Sequence, residues 1–313
     1  MLDRKDQIIL EYLMHNCRVS TTFLSKVTKL SQPAVVRRIK NLESKGHISK
    51  YDAIVNFPQL KVPAVVFLLN VPKDKTLAFE KEMTNMKSAV SSLFHILHKY
   101  NYFVLAFIDE REKKAMCAYF KKQGCEFVLY TIEREEFMPF SIFDVPIKIP
   151  FVNKPSIGKV SVDAKDVKLM NVLSDGGGRD SMLELARKTG LSYDVVLYRF
   201  RKLCQQNMFP LFLAQPASNI FGLQVDMLII KTKNESFNKM YQILETTKKT
   251  AYLVQLAPNT YFTQLFTKSF VEYKEVLSKI RTSLGDEVTD WQIFNTNDWV
   301  FINRTPFEKL IGK

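Results

Sequence analysis

The sequence predicts an α+β fold in which two winged helix-turn-helix domains alternate with two ferredoxin-like βαββαβ domains. Three observations lead there. Short amphipathic helices joined by tight turns open the chain, and apolar strands then alternate with helices. The whole pattern begins again about 160 residues later, where LDRKDQIILEYL at Leu2 returns as VDAKDVKLMNVL at Val162.

The first helix spans 3–14, with Ile8, Ile9, Leu10 and Leu13 turned inward. A break at His15–Arg18 leads to Ser20 or Thr21, the cap of a second helix over about 21–28. The stretch KLSQPAVVRRIKNLESKG, Lys29 to Gly46, forms the third. Ser31 caps it through its hydroxyl. Pro33 falls in the first turn, where a missing N–H costs nothing, and Gly46 closes it in the left-handed region. At about 100° per residue, Val35, Ile39 and Leu42 share one narrow apolar face. Arg37, Lys40, Asn41 and Ser44 lie opposite, with Arg38 beside the apolar seam. HISKYDAIVNF then alternates and is β-branched, which suits a two-stranded wing. Residues 1–60 thus make a winged helix-turn-helix.

Residues 61–134 change period. Strands at 62–71, 91–99, 101–109 and 125–134 enclose helices at 74–87 and 110–124. The order βαββαβ implies an antiparallel sheet with two helices on one face. Residues 135–160, with Pro139, Pro146, Pro150 and Pro155, read as a linker. The second winged helix-turn-helix spans 161–220, where LSQPAVVRRIKNL returns as LSYDVVLYRFRKL. SDGGGRD (174–180) lengthens the turn after its first helix, and with no preceding strand and no following Lys-Ser/Thr it is not a phosphate loop. The second ferredoxin-like domain fills 221–313, with strands near 224–232, 250–258, 260–267 and 287–294 and helices near 234–247 and 269–283. Tyr102-Phe103 answers to Tyr261-Phe262, and the tail NTNDWVFINRTPFEKLIGK has no counterpart.

The chain is 46% apolar and 25% charged, with a formal net charge of +13. That balance points to a polyanionic partner, nucleic acid or an anionic membrane surface. No apolar run reaches the ~18 residues of a membrane span. The opening MLDRKDQIILEYL lacks the layout of a signal peptide. Four cysteines without a C-x-x-C pair read as reduced thiols, so a cytoplasmic chain without zinc or disulfides is expected. No other metal and no cofactor is implied by the pattern. Residues 1–60 hold 10 Lys and Arg against 5 Asp and Glu, whereas 161–220 hold 8 against 6.

Ser31, Gln32, Arg37, Lys40, Asn41 and Ser44 are the candidates to face a DNA groove. Arginine grips the O6/N7 edge of guanine with two hydrogen bonds, and Asn or Gln does likewise with adenine. Lys26, Lys29, Arg38, Lys45 and Lys50 suit phosphates. In the second unit Tyr198, Arg201, Lys202 and Gln205 occupy the same face. Asp194 in its first turn opposes phosphate, so weaker binding is expected there. Arg199 aligns with Arg38, as a phosphate or intra-domain contact. The repeat would let one chain present two recognition helices as a pseudo-dimer.

With LDRKDQIILEYL, VSTTFLSKVTKLSQPAVVRRIKNLESKGHISKYDAIVN (19–56) and the following βαββαβ domain in view, the chain resembles the Lrp/AsnC family of transcription regulators. The resemblance covers 1–134 and, more loosely, 162–294. It implies that the winged domain binds double-stranded DNA. It also implies that the ferredoxin-like domain self-associates and holds a small effector, for which His98, Tyr100, Asn101 and Tyr102 are the candidates. The family's turn there carries a Gly and an Asp; His98-Lys99-Tyr100-Asn101 and Ala257-Pro258-Asn259-Thr260 have neither. Two alternatives remain open. Siroheme decarboxylases look like this family and use His and Tyr near the central strands, although Leu93-Phe94-His95-Ile96-Leu97 replaces their upstream motif. The repeat could also serve assembly alone, with DNA contact vestigial.

Overall fold

The structure, a computed structural model, describes residues 2–56, 63–86, 90–138, 140–145, 161–216 and 222–302. Along the chain run α1 (Arg4–His15), α2 (Thr21–Thr28), α3 (Gln32–Ser44), β1 (Ile48–Ile54) and β2 (Ala64–Asn70). There follow α4 (Thr76–Asn85), β3 (Val90–Leu97), β4 (Tyr102–Phe107), α5 (Glu110–Lys122), β5 (Glu126–Thr131) and β6 (Arg134–Phe137). The repeat supplies α6 (Ala164–Leu173), α7 (Met182–Thr189), α8 (Tyr193–Gln205), β7 (Leu211–Pro216) and β8 (Gln224–Thr232). It ends with α9 (Phe237–Thr247), β9 (Thr250–Ala257), β10 (Thr260–Thr267), α10 (Phe270–Leu284) and β11 (Val288–Ile302). Winged helix-turn-helix and ferredoxin-like elements alternate as the periodicity predicts. The compact units cut across the repeat: the described residues of 1–60 and 141–223 form one, and those of 61–140 and 224–302 form the other.

In the first unit each three-helix set closes on its own core. Ile9, Leu10, Leu13, Leu24, Val35, Ile39 and Leu42 are buried in one, and Val167, Leu169, Met170, Leu173, Leu185, Val196 and Leu203 in the other. The expected hairpin wing takes another form. β1 pairs antiparallel with β7, its counterpart from the repeat, so two single strands make one two-stranded sheet. Asp52 lies opposite Leu213, 161 positions on, which marks a local pseudo-two-fold. The glycine loop presses against this sheet. The Gly178 N–H donates to Tyr51 O at 2.8 Å, and a Cβ on Gly178 would stand 2.8 Å from the backbone carbon of Asp52. Glycine is needed there for close approach, not for a phosphate. Residues 140–145, within the expected linker, are partly held by α1. The Glu11 carboxylate accepts from the N–H groups of Ile142 (3.1 Å) and Phe143 (3.0 Å).

The second unit contains a nine-stranded sheet in the order β5-β2-β4-β3-β11-β8-β10-β9-β6. Successive residues of β2 face opposite ways, as a strand demands. Phe67 and Leu69 pack with Phe79 and Phe120 of the helices, while Val66 and Leu68 enter a core shared with the second half. There Phe103 and Phe262, equivalent positions of the repeat, stack with centroids 5.2 Å apart. β11 runs past its expected end: it pairs with β8 and then, from Asn295, with β3 of the first half. The tail is therefore a sheet strand as far as Ile302, and residues 303–313 lie outside the described residues. β6, expected as linker, pairs with β9, and Pro139, Pro146, Pro150 and Pro155 lie outside the described residues.

Candidate nucleic-acid interface

The helix α3 is built as its sequence implies. The Ser31 Oγ accepts from the Ala34 N–H at 3.4 Å, and Pro33 sits in the first turn. At the far end Gly46 adopts φ 71°, with His47 N–H donating to Leu42 O (2.8 Å) and Gly46 N–H to Glu43 O (2.9 Å). These are the paired bonds of a left-handed helix stop. Val35, Ile39 and Leu42 anchor the inner face. Ser31, Gln32, Arg37, Lys40, Asn41 and Ser44 are all exposed on the outer one. Thr21 of α2 joins Gln32, Pro33, Val36, Arg37, Lys40 and Asn41 in lining an open concavity. Among the described residues Arg37 and Lys40 make no ion pair, so their charge is presented outward.

Arg38 behaves otherwise. Its Nη1 lies 2.7 Å from Asp3 Oδ2 and 2.7 Å from Asp6 Oδ1, both on the start of α1. The Asp6 backbone N–H, joined by Arg38, holds the Asp3 carboxyl below the usual range. The second unit copies this clamp, Arg199 Nη1 meeting Asp163 at 2.7 Å and Asp166 at 2.8 Å. Arg38, expected on phosphate, therefore faces its own domain, and Arg199 takes the intra-domain option of the two expected for it, because the apolar seam turns them towards α1 and α6. Lys202 follows them, 2.9 Å from the buried Asp166, and Lys50 lies 2.8 Å from Asp52. Tyr198 and Arg201 stay exposed.

The four proposed effector residues do not converge. His98 is exposed with its ring against Phe294 (4.7 Å), and Tyr100 is buried in the core between the halves. Asn101 closes a turn, its amide group bonded at 2.8 Å to both N–H and O of Val71. Tyr102 points to the opposite face, where its hydroxyl donates to Glu80 Oε1 at 2.5 Å. His95 Nε2 reaches the same oxygen at 2.9 Å. Sequence reasoning did not find the Glu80–His95–Tyr102 cluster, since nothing in the spacing joins residue 80 to a strand 15 positions on. Among the described residues no group of three His, Cys, Asp or Glu side chains is placed to hold a metal, and no helix is long and apolar enough to cross a membrane.

A capped helix with a buried inner stripe and an outward Arg–Lys–Asn face, carried on a three-helix domain, defines the winged helix-turn-helix class. Within that class, residues 2–43 match the AsnC-type helix-turn-helix domain. Over 72 residues it is 35% identical to the uncharacterised HTH-type transcriptional regulator YezC of Bacillus subtilis (strain 168), covering 23% of this chain and 52% of that protein. Over 56 residues it is 39% identical to the HTH-type transcriptional regulator LrpA of Pyrococcus abyssi (strain GE5 / Orsay), covering 18% and 40%. The chain thus spans about half the length, or less, of these curated relatives. The crystal structure of the siroheme decarboxylase NirDL matches with a TM-score of 0.64, covering 98% of each chain at 12% identity, a likeness of fold.

Proposed function

We propose that this protein is a transcription regulator that binds double-stranded DNA, with α3 in the major groove. The observation that carries this reading is the α3 face itself. Gln32, Arg37, Lys40 and Asn41 are exposed around one concavity while the opposite stripe is buried. Arg37 and Asn41 suit guanine and adenine edges. Lys26, Lys29 and Lys45, all exposed, suit the flanking phosphates. The regulator names of the curated relatives support the same reading. In it the chain acts as a pseudo-dimer: β1–β7 couples α3 to its mate α8, and the ferredoxin-like halves self-associate inside one polypeptide. Arg38 and Arg199 hold the domains together and leave DNA contact to their neighbours. Selection of duplexes from random DNA by the full chain tests this. A non-palindromic consensus that is lost in an Arg37→Ala, Lys40→Ala variant is expected; unchanged retention by that variant would overturn the assignment.

A second reading is favoured by one observation, the full-length likeness to NirDL, also solved in co-complex with an iron-uroporphyrin III analogue. An enzyme of that kind would bind an iron tetrapyrrole, with His95 and Tyr102 the nearest His–Tyr pair, their rings 5.0 Å apart. Titration with such a tetrapyrrole separates the two readings. A saturable shift of its absorption band that His95→Ala abolishes supports the enzyme; an unaltered spectrum removes it.

A further inference from the structure

Among the described residues of the first unit, the exposed large apolar side chains are Val36 (39% exposed), Leu183 (69%), Tyr193 (47%) and Tyr198 (68%). None is scattered. Val36 lies in the α3 concavity. The other three stand 161 positions beyond Thr22, Gln32 and Arg37, at the equivalent places on α7 and α8. The second face has thus exchanged an amide and a guanidinium for two tyrosine rings. Serines keep the N-cap positions, Ser181 and Ser192 answering Ser20 and Ser31, although only Ser181 accepts a cap hydrogen bond, from Glu184 N–H. The phosphate-suited positions are thinned: Lys29, Lys45 and Lys50 become Gly190, Gln206 and Leu211. Lys202, opposite Asn41 in the repeat, is drawn to Asp166. Glu184 and Asp194, exposed in the first turns of α7 and α8, add repulsion towards phosphate.

Such a face has less charge to offer DNA, Arg187 and Arg201 being left at the places of Lys26 and Lys40, yet the shared β1–β7 sheet keeps it coupled to the α3 face. The chemistry in a major groove that rewards an apolar, rigid surface is the thymine C5-methyl group. We propose that α8 reads a thymine-rich half-site through contacts of Tyr193 and Tyr198 with thymine methyls, Arg201 supplying the remaining polar contact. This rests on the DNA-binding reading above and deepens it. The operator has two chemically different halves, one read by hydrogen bonds at α3 and one by methyl burial at α8. Weak intrinsic affinity suffices at α8 because tethering to α3 makes the second contact intramolecular.

The experiment uses the full chain on a duplex selected as above. The half whose base preference relaxes in Arg37→Ala is assigned to α3. In the other half, deoxyuridine replaces thymidine, which deletes only the methyl group. Each methyl removed is expected to weaken binding by about fourfold, and Tyr193→Ala, Tyr198→Ala is expected to bind both duplexes equally. If deoxyuridine leaves wild-type affinity unchanged while Arg37→Ala still relaxes preference, the methyl-reading assignment is overturned and the DNA-binding reading stands. If Arg37→Ala, Lys40→Ala leaves selection unchanged, both fall.

Discussion

Arg18 and Arg179, equivalent positions 161 residues apart, each hold the backbone around the other. Arg18 donates to Gly178 O at 2.8 Å and Asp180 O at 3.0 Å; Arg179 donates to Val19 O at 3.3 Å and to Cys17 O. The contact is reciprocal, as in an isologous dimer interface, though both partners lie in one chain. Replacing either arginine by alanine leaves part-buried carbonyls short of a donor, at about 1–3 kcal/mol each. Urea unfolding of both single variants and the double variant checks this, with a double cost smaller than the sum expected. Additive costs would show two independent contacts.

The same seam depends on Gly178. An added Cβ would lie 2.8–2.9 Å from backbone atoms of Tyr51 and Asp52, which cannot swing aside as a side-chain tip would. Gly178→Ala is expected to lower stability by about 1–3 kcal/mol. Gly176→Ala differs in cause, since no atom stands within 4 Å and its cost comes from φ +89° alone. Thermal melting of the two variants, with the β1–β7 contact monitored by amide exchange, separates clash from backbone strain: exchange at Tyr51 and Asp52 should rise only in Gly178→Ala.

Adjacent arginines on α3 should fail in different ways. Arg37→Ala is expected to leave the melting temperature unchanged and cost about 1–3 kcal/mol of DNA affinity where it reads a guanine. Arg38→Ala removes partly exposed ion pairs to Asp3 and Asp6, about 1 kcal/mol of stability. Its affinity, measured well below the melting temperature, should stay near wild type. Equal affinity losses in both would place Arg38 on the DNA instead of on α1.

Salt should act strongly. If Lys26, Lys29 and Lys45 each neutralise a phosphate, log K against log salt falls with a slope of about −3. Lys45→Ala should make the slope shallower by about 1. Fluorescence anisotropy across a salt series reads both values, and a flat line would exclude phosphate tracking.

Acid should weaken the first unit before it weakens the second. Burial pushes His15 down from 6.5 to about 4. Its folded value lies below its unfolded one, so the stability it confers is present above about pH 6.5 and is lost as pH falls through about 4. The linked loss amounts to about 3 kcal/mol at most. The Asp3 carboxyl, held low by the Asp6 N–H and by Arg38, adds a loss of the same sign at lower pH. Unfolding of the wild type and of His15→Leu between pH 7 and 4 checks the window; the variant should show the flatter profile.

By itself the sequence determined the local framework. The serine caps at Ser20 and Ser31, the 3.6-residue stripe of Val35, Ile39 and Leu42 and the apolar run around Phe67 are short-range signals that periodicity records directly, and the internal repeat is read from the sequence in the same way. It also determined that Arg37, Lys40 and Asn41 share an outer face. Tertiary structure alone decided what those elements meet. Arg37 and Arg38 are neighbours in sequence and only 100° apart on a helix, yet the position of Asp3 and Asp6 separates a free cation from a domain clamp. Whether HISKYDAIVNF folds back on itself or pairs with LFLAQP is settled by which edge lies open when the two winged units meet. The same holds for β11, whose backbone groups from Asn295 onwards pair with β3 of the first half, Asn295 lying opposite Leu97. Local pattern fixes which faces are apolar and which are charged; the long-range partners of those faces depend on how the copies close upon one another.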